Sequence, residues 1–153
     1  MAKVSRMERF EKHVFLLAED SESDVVLMKE AFAKAGVVNP LHVVAGGDEA
    51  IAYLRGDPPY ADRTAYPLPF VLLMDLKMPG KNGFEVLAWT RSQPNLRRLV
   101  IIVLTASSSA ADADRAFELG ANFYLTKPGP FKELVEMTKC LQDWLRLNHF
   151  PTL

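Results

Sequence analysis

Phe70-Val-Leu-Leu-Met74 is an unbroken apolar run that ends on a lone carboxylate, Asp75. No polar residue alternates within it, and Val71 is β-branched. That pattern belongs to a strand covered on both faces, as in a parallel sheet flanked by helices. Pro79, Gly80 and Gly83 then turn the chain before a helix begins. In open α/β sheets, ligands and chemistry sit just beyond the carboxyl ends of the strands, so Asp75 stands where a functional group belongs. Taken alone, such an Asp is more often a turn or cap residue. The rest of the chain reverses that balance.

Four further runs read as strands: Val14-Phe-Leu-Leu-Ala18, Leu41-His-Val-Val-Ala45, Leu99-Val-Ile-Ile-Val-Leu104 and Asn122-Phe-Tyr-Leu-Thr126. After the first, Ser21 with Asp24 three residues on resembles a capping box. Val25, Met28, Phe32 and Ala35 then recur at helical spacing until Gly36. The pattern predicts further helices over residues 48–54, 82–92, 110–119 and 131–147, the fourth opened by Ser107–Ser109 and stopped by Gly120. A strand followed by a helix, five times over, predicts an α/β fold. Its sheet is parallel, with helices on both faces and right-handed crossovers. The connection 56–69, rich in Pro, Tyr and charge, is long for such a fold, where about 2–6 residues are usual.

A chain of 153 residues with 49% hydrophobic and 24% charged residues has enough apolar surface for one real core and no second domain. A net charge of −1 gives no reason to expect a nucleic acid or an anionic membrane as partner. The single cysteine, Cys140, excludes an internal disulfide framework and suits a reducing compartment. No apolar stretch follows the basic first ten residues, and no run approaches the roughly 18 apolar residues of a membrane span. A cytoplasmic protein is expected, with residues 1–12 as a polar leader, 13–147 as the domain and 148–153 as a tail.

The residues just past the strands form a set. Strand one delivers Glu19 and Asp20, strand three Asp75, strand four Thr105 and strand five Lys127. Each has an ordinary reading as a helix-end charge, a turn residue or a solvated lysine. All five falling on strand ends, which a parallel sheet gathers at one edge, favours a site. Three carboxylates brought together repel, so they take up protons or a cation. An all-oxygen cluster without His or Cys suits a hard ion, Mg2+ or Mn2+. Lys127 adds positive charge and Thr105 a hydroxyl donor. These parts suit a tetrahedral oxyanion transferred onto a carboxylate, which makes Asp75 the nucleophile in phosphoryl transfer.

Leu16-Leu-Ala-Glu-Asp20, Leu73-Met-Asp-Leu-Lys-Met-Pro-Gly-Lys-Asn-Gly83, Val103-Leu-Thr-Ala106 and Gly120-Ala-Asn-Phe-Tyr-Leu-Thr-Lys-Pro128 resemble the receiver domain of two-component response regulators. The likeness spans about residues 13–147 and implies a doubly wound (βα)5 fold with flavodoxin-like strand order 2-1-3-4-5. It implies that Asp75 accepts the phosphoryl group from a sensor histidine kinase or a phosphotransfer protein. Asp20, Asp75 and the backbone carbonyl of Lys77 would bind Mg2+, with Glu19 helping through water. Thr105 and Lys127 would contact the phosphoryl group, and Tyr124 matches an aromatic switch position coupled to Thr105. Lys127-Pro128 matches a peptide bond that is often cis in the family. Such a protein catalyses only its own phosphorylation and dephosphorylation, and signals through protein contacts.

The long loop with Pro58-Pro-Tyr-Ala-Asp62, and a Trp-Leu near the chain end, are similar to the small single-domain regulators serving bacterial phytochromes. The family often forms homodimers through its fourth helix, fifth strand and fifth helix. Met137, Cys140 and Trp144 widen the apolar face of the last helix beyond the roughly 100° that core contact needs, as a partner surface does. One departure from the commonest pattern is Lys77, whose amine stands near enough in sequence to affect the lifetime of a phosphorylated Asp75.

Two rival readings fail on particular residues. A flavin mononucleotide carrier of this topology needs a Ser/Thr/Gly-rich loop after strand one, whereas Glu19 to Asp24 is acidic and lacks glycine. A phosphatase of the haloacid dehalogenase type needs a second Asp two residues after the nucleophile, where Lys77 stands. A receiver that only binds is the remaining alternative, and the intact set of five residues argues against it.

Overall fold

The computed structural model describes residues 6–153. Five parallel strands lie in the order β2-β1-β3-β4-β5: β1 (Phe15–Ala18), β2 (Leu41–Val44), β3 (Val71–Met74), β4 (Val100–Thr105) and β5 (Phe123–Thr126). The helices are α1 (Arg6–Glu11), α2 (Glu22–Lys34), α3 (Gly47–Arg55), α4 (Gly83–Ser92), α5 (Ala110–Glu118) and α6 (Phe131–Arg146). The expected order 2-1-3-4-5 is therefore observed, and the fourth and fifth helices of the βα repeat are α5 and α6.

Register explains why the central strands carry no polar residue. Leu17, Leu73 and Ile102 stand side by side, and so do Leu16, Leu72 and Ile101. The first row faces the core under α2 and α6, with Met28, Phe32, Leu134 and Leu145. The second faces Ile51, Leu54, Val86 and Leu87 of α3 and α4. Alternate side chains leave a strand on opposite sides, and both sides are dry, so every position must be apolar.

Three expectations need correction. Where a polar leader is expected, residues 6–11 form α1, and Phe10 is buried edge-on against Phe70 at 5.7 Å. Asn39 fixes this segment by donating its side-chain amide to the carbonyls of Phe10 (2.8 Å) and His13 (3.1 Å). Apolar burial therefore outweighs the polar composition there, and the first five residues of the leader lie outside the described residues. The tail also packs: Phe150 meets Phe70 at 4.9 Å, and the carbonyl of Thr152 accepts from the Arg98 guanidinium at 2.7 Å. The cis X-Pro bond is Pro58–Pro59, and the bond before Pro128 keeps the ordinary trans form.

The long connection 56–69 is tied to α3. Arg63 donates to the carbonyls of Tyr53 (2.8 Å) and Leu54 (2.9 Å) in the last turn of the helix, where Tyr53 O also accepts the Gly56 N–H at 3.2 Å. Tyr60 and Tyr66 pack against Tyr53, whose hydroxyl donates to Pro67 O at 2.9 Å.

Candidate functional site

The sheet ladder sets the spacing of the site. Glu19 N–H donates to Val44 O (3.0 Å), Asp75 N–H to Ala18 O (3.2 Å) and Lys127 N–H to Thr105 O (2.7 Å). Each functional residue is thus the next step of a hydrogen-bonded strand end, and its backbone is held by a neighbouring strand. Glycine allows the turn beyond Asp75 to close. A Cβ on Gly83 would stand 2.6 Å from the Asp75 carbonyl oxygen, so the start of α4 approaches this strand end only with Gly there.

The geometry centres on the Lys127 ammonium. Its Nζ donates to Glu19 Oε2 at 2.6 Å, Asp24 Oδ2 at 2.9 Å and Asp75 Oδ2 at 3.1 Å. The other Asp75 oxygen, Oδ1, accepts the Lys77 N–H at 3.3 Å. Thr105 is buried beside this carboxylate, and its hydroxyl accepts the Ser107 N–H at 3.4 Å. The Tyr124 hydroxyl, half-buried, donates to Ser107 O at 2.9 Å, so Tyr124 and Thr105 hold the same short loop. The Lys77 side chain is exposed.

Burial and charge oppose each other here. Burial works to raise the Asp75 pKa, but the Thr105 hydroxyl, Lys127 and the Lys77 N–H together hold it below the usual carboxylate range. Glu19 goes the other way: burial dominates, and its pKa is raised despite Lys127 and the Ser21 N–H. Burial also disfavours the Lys127 ammonium, yet hydrogen bonds to Glu19 and Asp24 and the charge of Asp75 raise its pKa. Asp75 is therefore an anion at neutral pH, as a nucleophile must be.

Three carboxylates around one ammonium leave two negative charges uncompensated. Asp20, at the same strand end, is exposed and makes no ion pair among the described residues. The structure thus gathers Glu19, Asp75, Thr105 and Lys127, while Asp20 does not pair with the lysine. No group of three or more His, Cys, Asp or Glu side chains forms a ready-made metal cluster among the described residues. The donor chemistry nevertheless fits a hard divalent cation: oxygen ligands only, with a surplus of negative charge.

Sequence reasoning missed Asp24. Ser21–Asp24 has the spacing of a capping box, and half of that box exists: the Ser21 hydroxyl accepts the Asp24 N–H at 3.3 Å. The other half does not, because the Ser21 N–H donates to Glu19 Oε1 at 3.1 Å. The Asp24 carboxylate turns to Lys127 instead, a pairing across 103 residues that local spacing cannot reveal.

Comparison with known proteins agrees with this fold. Residues 15–139 match the family model of the response regulator receiver domain. Response regulator Rcp1 of Synechocystis is 34% identical over 139 residues, covering 90% of this chain and 92% of its own. The Mn2+-bound form of Rcp1 superposes with a TM-score of 0.80 at 34% identity, covering 92% of this chain and 99% of that one. The phosphorylated cyanobacterial phytochrome response regulator RcpA gives 0.84, and RPA3017, a response regulator in red light signaling of R. palustris, gives 0.87. Both are 34% identical over 92% of this chain and 99% of theirs. No helix among the described residues is long and apolar enough to cross a membrane. Motifs and sheet order agree with these matches, and the chain belongs to the response regulator receiver domain family.

Proposed function

We propose that this chain takes a phosphoryl group onto Asp75 from the phosphohistidine of a sensor histidine kinase of the phytochrome type, and signals through protein–protein contacts. The observation that carries this reading is Asp75 itself. It is an ionised carboxylate, 12% exposed at the end of the central strand, with Lys127 Nζ at 3.1 Å to receive the charge of an oxyanion. The phytochrome assignment rests on the likeness to RcpA and RPA3017.

Glu19, Asp20, Asp75 and the Lys77 carbonyl are the residues that would hold Mg2+ or Mn2+, and the existence of a Mn2+-bound form of Rcp1 supports a divalent cation here. When bound, the cation neutralises the carboxylates and the phosphoryl oxygens. An Asp75 oxygen forms the new O–P bond as the donor's P–N bond breaks, and the departing imidazole takes a proton from water. Lys127 pairs with the phosphoryl oxygens and the Thr105 hydroxyl donates to them. Hydrolysis of the acyl phosphate restores the carboxylate.

For output, Trp144 (43% exposed) and Phe123 (39%) stand edge-to-face at 4.7 Å, with Phe117 exposed nearby in sequence on α5. The α5, β5 and α6 face therefore suits a homodimer contact. Trp144→Glu is expected to weaken self-association in sedimentation, and an unchanged profile removes this face from the proposal.

Intact mass after incubation with Mg2+ and acetyl phosphate tests the main reading. Wild type should gain one phosphoryl group, while Asp75→Asn, or wild type without metal, should gain none. A wild-type protein that gains nothing from the kinase or the small donor, and binds no beryllofluoride, is a binding-only receiver.

A further inference from the structure

An ammonium has three protons to donate, and Lys127 uses all three, on Glu19, Asp24 and Asp75. A phosphoryl oxygen arriving on Asp75 finds no spare donor unless one of these contacts breaks. Glu19 is poorly placed to let go: it is 3% exposed, and its second oxygen is fixed by the Ser21 N–H. Asp75 is the residue that reacts. Asp24 is 39% exposed, so water takes over its oxygen at small cost when the lysine leaves.

The local structure frees Asp24 for this role. At the start of α4 both arms of the box close: Asn82 Oδ1 accepts the Glu85 N–H at 3.0 Å, and Glu85 Oε1 accepts the Asn82 N–H at 3.4 Å. At the start of α2, Glu19 takes the N–H that the Asp24 carboxylate would otherwise receive. Ser21 alone caps the helix, and the Asp24 side chain has no capping duty left.

We infer that Asp24 is a positioning residue that holds the Lys127 ammonium in the resting site and is the contact that gives way when an oxyanion is seated on Asp75. The inference rests on the phosphoacceptor reading of Asp75. Removing the charge of Asp24 frees the lysine in advance, so the site should accept an oxyanion more readily.

Beryllofluoride with Mg2+, a mimic of the phosphoryl group, is the probe. Asp24→Asn should lower its half-saturating concentration by about fivefold, as expected when one contact of a coupled network is released. Two controls separate other causes. Ser21→Ala weakens the α2 cap without touching Lys127, and Glu22→Gln removes a charge from the same helical turn; neither should shift half-saturation. In wild type, the carboxyl carbon signal of Asp24 should move together with the Lys127 ammonium signal as beryllofluoride is added. An unchanged half-saturation in Asp24→Asn, an equal gain in Glu22→Gln, or an Asp24 signal that stays still while Lys127 moves overturns the inference alone. Failure of wild type to take up beryllofluoride overturns the phosphoacceptor reading and this inference with it.

Discussion

The two ends of the sheet are built from the same five strands and do opposite things. At the amino edge, Phe70 is sealed by rings: Phe15 at 4.7 Å, Phe150 at 4.9 Å, His13 stacked at 5.3 Å and Phe10 at 5.7 Å. Phe10, Phe15 and Phe70 are buried there, and desolvation lowers the pKa of the more exposed His13. At the carboxyl edge, carboxylates are gathered without enough positive charge to balance them. The gross attraction of each contact with Lys127 is about 5 kcal/mol at an effective dielectric constant near 20. Desolvation costs several kcal/mol per ion, so the cluster is a poor source of stability. One edge holds the fold; the other stores a surplus of negative charge that suits a cation.

Variants at the two edges should separate stability from chemistry. Phe70→Ala removes the ring around which the amino edge packs, and should cost about 3–5 kcal/mol in denaturant unfolding. The fraction of that variant still folded should take up phosphoryl mass from acetyl phosphate as wild type does. Loss of uptake in folded protein would mean the edges are not independent. Lys127→Ala should do the converse, slowing phosphoryl uptake about 10²-fold. Its cost in stability should be about 2 kcal/mol, less than the roughly 3–5 kcal/mol of a fully buried broken pair because the site is partly open to water. Added Mg2+ should raise the unfolding midpoint of this variant more than that of wild type, since the cation supplies the missing charge.

Titration sharpens the same contrast. A lysine with a raised folded pKa contributes its stability fully below the unfolded value, near 10.4, and loses it as pH rises through the folded value. The stability gap between wild type and Lys127→Ala should therefore stay constant from about pH 7 to 10 and close at higher pH. A gap that narrows below pH 9 places the lost stability elsewhere. The smallest effect belongs to a residue near the site but outside it. Asn82→Ala opens the box of α4 and should cost about 1 kcal/mol in unfolding with phosphoryl uptake unchanged.

Local rules were enough for the strands, most helix ends and four members of the site. Phe70–Met74 has no polar residue because both its faces are covered, and that pattern is legible one residue at a time. Asp75, Thr105 and Lys127 could be placed because a parallel sheet carries the ends of its strands to one edge. The same rules misread residues whose partners lie far along the chain. Phe10 and Phe150 sit in segments that read as leader and tail, yet both meet Phe70. Asp24 fits a capping pattern, yet its carboxylate serves Lys127.

The amino-acid sequence by itself determined the alternation of strand and helix, the burial of the central strands and the residue types at the strand ends. These follow from periodicity and turn chemistry, which act over a few residues. Only the tertiary structure decided which carboxylates share the lysine, that Asp20 is not among them, and that Phe10 and Phe150 close on Phe70 at the amino edge. Those outcomes depend on distances between segments up to 108 residues apart, and burial there decides which charge is shared and which stays in water.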